Sequence, residues 1–193
     1  FHSFVAKPFY IPSESMMPAL LKGDRLVVTK YPYGWSWVSP TFHISPHWSA
    51  RLLGKMPERG DIVIVTPPGQ SDDYIKRVIG LPGDTIEVRD GRLVINGKPI
   101  RSERRAPAMV PVDANVPCGG IEFPGFQVQQ PDGKLYCRLP IVRETLPNGV
   151  SYDTIDLGRT PGDDYGPELI PPDHVFLMGD NRDSSADSRY PLN

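Results

Sequence analysis

The chain has 193 residues, 39% of them hydrophobic and 23% charged, a balance that can fill a packed core and excludes a disordered tail. A formal net charge of -2 provides no broad basic field for a phosphate backbone, so nucleic acid is excluded as a partner. No run approaches the roughly 18–20 apolar residues of a membrane span, and the sequence begins at Phe1 rather than Met, so it is expected to be a piece of a longer chain whose anchor lies outside it.

In chain order, IPSESMMPALLKGD (11–24) has neither the 3.6-residue apolar spacing of a helix nor the alternation of a strand, and reads as a loop. RLVV (25–28) is of strand length. YPYGWSWVSPTFHISPHW (31–48) holds all three tryptophans; it either packs beneath a loop or forms an exposed apolar patch for a membrane or partner. Strand-like runs continue with DIVIV (61–65), YIKRVIGL (74–81), TIEV (85–88), RLVI (92–95) and VFLMG (175–179), each bounded by Gly, Pro, Asp or Asn. That punctuation predicts an all-β fold rather than βαβ units. Asp90-Gly91 between two β-rich runs predicts a hairpin, and Asn96-Gly97 a second turn. Residues 101–170 differ: they open on RSERR, hold both cysteines and many prolines, and end in the acidic TPGDDYGPELIPPD, reading as an insertion with long loops. The organisation expected is a discontinuous core, 1–88 and 171–193, around an inserted loop-rich β domain, 89–170.

Lys76 is the first candidate for chemistry. Alternation along DYIKRVIGLPGD puts Tyr74, Lys76 and Val78 on one strand face and Ile75, Arg77 and Ile79 on the other, so at least one cation is partly buried. A desolvated lysine has a depressed pKa and becomes a base when neutral; a lysine snorkelling from a strand edge is the bland alternative. FLMGDNRDSSADSRY (176–190) concentrates carboxylates, amides, arginines and serines behind an apolar strand. Its spacing fails the EF-hand pattern, and internal Arg/Asp pairing that stiffens a neighbouring site is the better reading. There is no GxSxG elbow, and His2, His43, His47 and His174 fall at no spacing that marks a triad or a metal site. Neither metal nor cofactor is expected. Cys118 and Cys137 fit no CxxC motif; a disulfide and two buried thiols are equally open.

Together and in order, IPSESMMPALLKGD, RGDIVIV, YIKRVIGLPGDTIEV and MGDNRDSSADSRY resemble the signature segments of the bacterial type I signal peptidases, membrane-bound Ser/Lys endopeptidases that remove leader peptides from exported proteins. FVAKPFYIPS resembles the stretch leading out of the last membrane span in that family. The resemblance implies that Ser15 is the nucleophile and Lys76 the general base. It also implies that the Ser13 hydroxyl joins the Ser15 backbone N–H in an oxyanion hole and that Ser185 orients the lysine amine. Asp180, Arg182, Asp187 and Arg189 match the surrounding ion-pair and hydrogen-bond shell.

The resemblance further implies an antiparallel β catalytic core with an exposed apolar surface, a substrate bound as an added strand, and small residues at the first and third positions before the cut. Its expected partners are the signal-peptide region of pre-proteins and the membrane lipid surface. It places a monomer at the bacterial inner membrane, with its catalytic domain on the outer, periplasmic face. Glu14 stands where many relatives have glycine, Ala19 replaces a common threonine, and relatives continue past the point matching Asn193 into a further strand. Two other readings compete: a self-cleaving Ser/Lys repressor of the LexA type, and a non-enzymatic periplasmic β-rich binding module. The aromatic-rich segment and the lack of a visible helix-turn-helix argue against the first.

Overall fold

The computed structural model describes residues 6–10, 17, 25–29, 49–51, 57–65, 74–114, 118, 125–172, 174–183 and 187–189; for 6–10, 25–29, 49–51, 64 and 65 it describes the backbone alone. Within these residues the fold is all-β, and every pair of neighbouring strands is antiparallel. β1 (Ala6–Tyr10) pairs with β2 (Arg25–Thr29). A second sheet runs β3-β14-β5-β4, built from β3 (Ser49–Arg51), β4 (Ile62–Val65), β5 (Tyr74–Gly80) and β14 (His174–Met178). A third runs β13-β6-β7-β8, from β6 (Thr85–Arg89), β7 (Arg92–Ile95), β8 (Lys98–Pro99) and β13 (Tyr165–Leu169). The fourth holds β9 (Arg101–Pro111), β10 (Gln127–Gln129), β11 (Leu135–Thr145) and β12 (Ser151–Ile155), with β11 pairing to the other three.

Both predicted turns form. Asp90 and Gly91 have φ of 51° and 76°, Asn96 and Gly97 φ of 53° and 78°, the left-handed pairs that a tight two-residue hairpin needs. The predicted insertion is more regular than its prolines imply. β9 and β11 are eleven-residue strands forming one long ribbon, and the prolines sit where a ladder tolerates a missing N–H. Pro107 and Pro111 lie on β9, which pairs along a single edge, and Pro140 lies at the register shift between Leu139 and Ile141.

The main apolar core joins three of these sheets. Ile79 and Phe176 from the second sheet, Ile86 and Leu93 from the third, and Leu146 and Tyr152 from the β11–β12 hairpin share one cluster. A second cluster contains Met17, Val110, Leu139, Ile141 and Ile155, together with Cys118 and Cys137, which are joined by a disulfide. No helix of the described residues is long and apolar enough to cross a membrane. The aromatic segment 31–48 lies outside the described residues.

Candidate active site

Lys76 occupies the middle of β5, with β4 on one side and β14 on the other, and both faces of the strand are covered: from Ile75 to Gly80 every residue is buried. Two cations are therefore sealed side by side, Lys76 at 1% exposure and Arg77 at 7%. Alternation sends their side chains to opposite faces, and their fates diverge. Arg77 is fully engaged. Its Nε and Nη2 donate to the two Asp180 carboxylate oxygens at 2.9 and 2.7 Å, its Nη1 donates to the Gly60 carbonyl at 2.9 Å, and its guanidinium lies 4.4 Å from the Tyr152 ring centroid.

Lys76 has a different environment. Burial lowers its pKa from 10.5 to about 8; the nearby Asp187 and Asp180 carboxylates pull it up again, and the Arg189 guanidinium pushes it down. Its Nζ sits 5.8 Å from the Tyr74 ring centroid. A lysine held near 8 is neutral in a substantial fraction of molecules at mildly alkaline pH, which fits it for proton transfer.

The segment after β14 surrounds these cations as expected of a hydrogen-bonded loop. The Asp187 carboxylate accepts from the Gly179 N–H at 3.2 Å and from Arg189 Nε at 2.9 Å, and the Ser188 Oγ accepts from the Leu177 N–H at 3.0 Å. Arg189 Nη2 donates to the Arg182 carbonyl at 2.5 Å. Asp180, Arg182, Asp187 and Arg189 are all buried; the charges of Asp187, Arg189 and Asp180 act on Lys76, and Arg182 is tied to them through its carbonyl, which accepts from Arg189. Ser13, Ser15 and Ser185 lie outside the described residues, although Met17, two positions after Ser15, is fully buried in the second apolar cluster. His174 stands at the start of β14 with Nδ1 2.7 Å from the Pro172 carbonyl, away from this chemistry. A groove of about 450 Å³ lined by Arg104, Arg105, Asp156 and Arg159 does not include Lys76.

Two members of the network were not singled out by sequence. Glu144 accepts from Arg182 Nη1 and Nη2 at 2.9 and 2.5 Å, and Tyr152, its direct partner across β11 and β12, donates its hydroxyl to Glu144 at 2.9 Å. A signal existed: Val142, Glu144 and Leu146 fall at strand period, placing an acid between two apolar neighbours on one face. Such an acid is either solvent-facing at an edge or buried with a partner, and sequence alone does not say which. Among the described residues no group of three or more His, Cys, Asp or Glu side chains is placed to hold a metal.

The chain is all-β within the described residues and buries a lysine of lowered pKa beside a loop of paired Asp and Arg residues. The sequence matches the family described as signal peptidase, peptidase S26, over residues 1–191, and the chain belongs to that family. Among curated relatives it is 36% identical to signal peptidase I of Rickettsia prowazekii (strain Madrid E), across 97% of this chain and 66% of that protein. It is 34% identical to signal peptidase I of Rickettsia bellii (strain OSU 85-389), across 97% of this chain and 60% of that protein. The chain thus spans between about three fifths and two thirds of the length of these relatives.

Proposed function

We propose that this chain carries the catalytic machinery of a serine endopeptidase that removes N-terminal signal peptides from exported pre-proteins. The observation that carries the reading is Lys76: a lysine at 1% exposure, lowered to about 8 by burial, in a member of the S26 family. Neutral Lys76 takes the proton of the Ser15 hydroxyl as Ser15 Oγ attacks the carbonyl carbon of the small residue before the scissile bond. The oxyanion is stabilised by the Ser13 hydroxyl and the Ser15 backbone N–H, donors aimed at charge that develops only in the transition state. The lysine ammonium then protonates the leaving amine. Neutral again, it activates a water that hydrolyses the acyl-enzyme, and Ser185 orients the amine throughout. Asp180, Arg182, Asp187 and Arg189 hold the lysine's surroundings rigid.

In this reading residues 89–170 form the inserted β domain, the protein is a monomer at the outer face of the bacterial inner membrane, and its partners are the pre-protein's signal-peptide region and the lipid surface. The test is mass spectrometry of a leader-type peptide after incubation with the wild-type protein, Ser15→Ala and Lys76→Ala in detergent. Cleavage at a single bond after a small residue, abolished in both variants, is expected. Cutting of the protein's own chain with the peptide left intact would replace the reading with a self-cleaving one, and an intact peptide with an intact chain would refute it.

A further inference from the structure

The ion pair between Glu144 and Arg182 is bidentate, with both side chains buried, and it joins two distant parts of the chain: the β11–β12 hairpin and the loop that follows β14. Stability alone is a poor reason for such a pair, because desolvating two charges offsets most of their attraction. What the pair does geometrically is clearer. Arg182 sits between Asp180, which grips Arg77 beside the lysine, and Asp187 and Arg189, whose charges act on the lysine directly. Arg182 also offers its carbonyl to Arg189.

The hairpin reinforces this hold at further points. The Ile155 N–H donates to the Asp180 carbonyl at 3.0 Å and the Arg182 N–H returns a bond to the Ile155 carbonyl at 3.2 Å, so the loop is stitched to the end of β12. Tyr152 uses both ends: its hydroxyl donates to Glu144 and its ring underlies the Arg77 guanidinium. We propose that Glu144 and Tyr152 are positioning residues for Lys76, holding Arg182 and Arg77 so that the loop's Asp180, Asp187 and Arg189 keep fixed places around the lysine amine.

This assignment rests on the peptidase reading for its catalytic meaning, but its electrostatic content can be measured without substrate. Among the described residues, groups acting on Lys76 include Asp187, Arg189 and Asp180 from the loop and the Tyr74 ring from its own strand; Glu144 acts on Asp180, Arg182 and Tyr152. Glu144→Gln removes a negative charge while leaving Arg182 cationic, so the buried network that contains Asp180 becomes more positive by one unit and the Lys76 ammonium beside that network is disfavoured.

The experiment follows the lysine side-chain resonances of protein carrying ¹³C at lysine Cε through a pH titration. Lys76 is assigned as the signal missing in Lys76→Ala, and leader-peptide kinetics are measured in parallel. In Glu144→Gln the Lys76 midpoint should fall by about half a pH unit or more. In the double variant Glu144→Gln/Arg182→Gln, which leaves no buried charge unpaired, it should return toward the wild-type value while kcat stays about tenfold low with KM unchanged, the pattern of a misplaced base. Tyr152→Phe should lower kcat less. An unmoved Lys76 midpoint in folded Glu144→Gln overturns the proposal. If that variant does not fold, wild-type kcat in the double variant overturns it. Absence of cleavage by the wild-type protein refutes only the peptidase reading and leaves the titration to decide this one.

Discussion

At the scale of single residues, Lys76 sets catalysis against stability. Its proton is held more tightly in the unfolded chain, at the ordinary 10.5, than in the folded one, at about 8. Unfolding therefore takes up protons between these values, and stability rises with pH across that window. Below pH 8 the buried ammonium costs about 3 kcal/mol. Lys76→Met should abolish peptide cleavage yet raise the melting temperature at pH 7, with the gain shrinking between pH 8 and 10.5; a gain that does not depend on pH would mean that burial is not what lowers the lysine. Arg189 works on the same titration, since its guanidinium pushes Lys76 down while Asp187 pulls it up. Arg189→Gln leaves Asp187 unopposed, so the acid limb of kcat/KM should move up from about 8, by about a unit. Thermal unfolding of the same variant should show a loss of about 3 kcal/mol or more for breaking a buried pair. An acid limb at lower pH would reverse the assigned sign. Burial of a cation was legible in the strand alternation of DYIKRVIG, because no register leaves both cations wet. The partnership of Glu144 with Arg182 was not legible, since it spans 38 positions and depends on how the hairpin folds back.

Among elements, the β11–β12 hairpin governs how the second sheet is braced. Its tip reaches Arg59 and Gly60: Asn148 Nδ2 donates to the Arg59 carbonyl at 2.7 Å, and Gly60 lies against the Val150 side chain. The Gly60 carbonyl in turn accepts from Arg77, so the contact is one step from the lysine's neighbour. A Cβ at Gly60 would approach Val150 Cγ1 to 2.6 Å, and the residue's φ of 95° is itself unfavourable for any other side chain. Gly60→Ala should therefore destabilise by about 1–3 kcal/mol. Adding Val150→Ala should recover the steric part but not the backbone part, a coupling that a double-mutant cycle in urea would read directly; strict additivity would show that the hairpin tip is not pressed against Gly60. The sequence reading took this region as a loop-rich β insertion, and its many prolines hid the length and regularity of the β9–β11 ribbon. The physical reason is positional: a proline breaks a ladder only where its missing N–H is needed, and one-edge pairing or a bulge removes that need.

Over the whole molecule, β11 connects two apolar clusters that bear on the two halves of the proposed dyad. Leu139 and Ile141 on β11 pack in the cluster that holds Met17, two positions from Ser15; Leu146, just past the end of β11, packs in the cluster that backs β5 and β14. Glu144 lies between them along the strand. The Cys118–Cys137 disulfide sits inside the Met17 cluster, with Cys137 itself on β11, so the covalent link closes the floor on which Met17 rests. Removing it with Cys118→Ala/Cys137→Ala frees a loop of moderate length in the unfolded chain and should cost about 3 kcal/mol. For a chain of this size that corresponds to a melting point lower by roughly 6–12 °C. Truncation of buried Met17 to alanine should cost about 2–5 kcal/mol through the same cluster. If Met17 anchors the loop that carries Ser15, both variants should lower kcat for a leader peptide, assayed well below their melting points, while the Lys76-governed acid limb stays near pH 8. The lysine's strand-face neighbours Tyr74 and Val78 pack with Val175 and Leu177 in a third cluster, separate from that of Met17, and remain intact. A shifted acid limb with unchanged kcat would mean that the disulfide cluster bears on the base and not on the nucleophile.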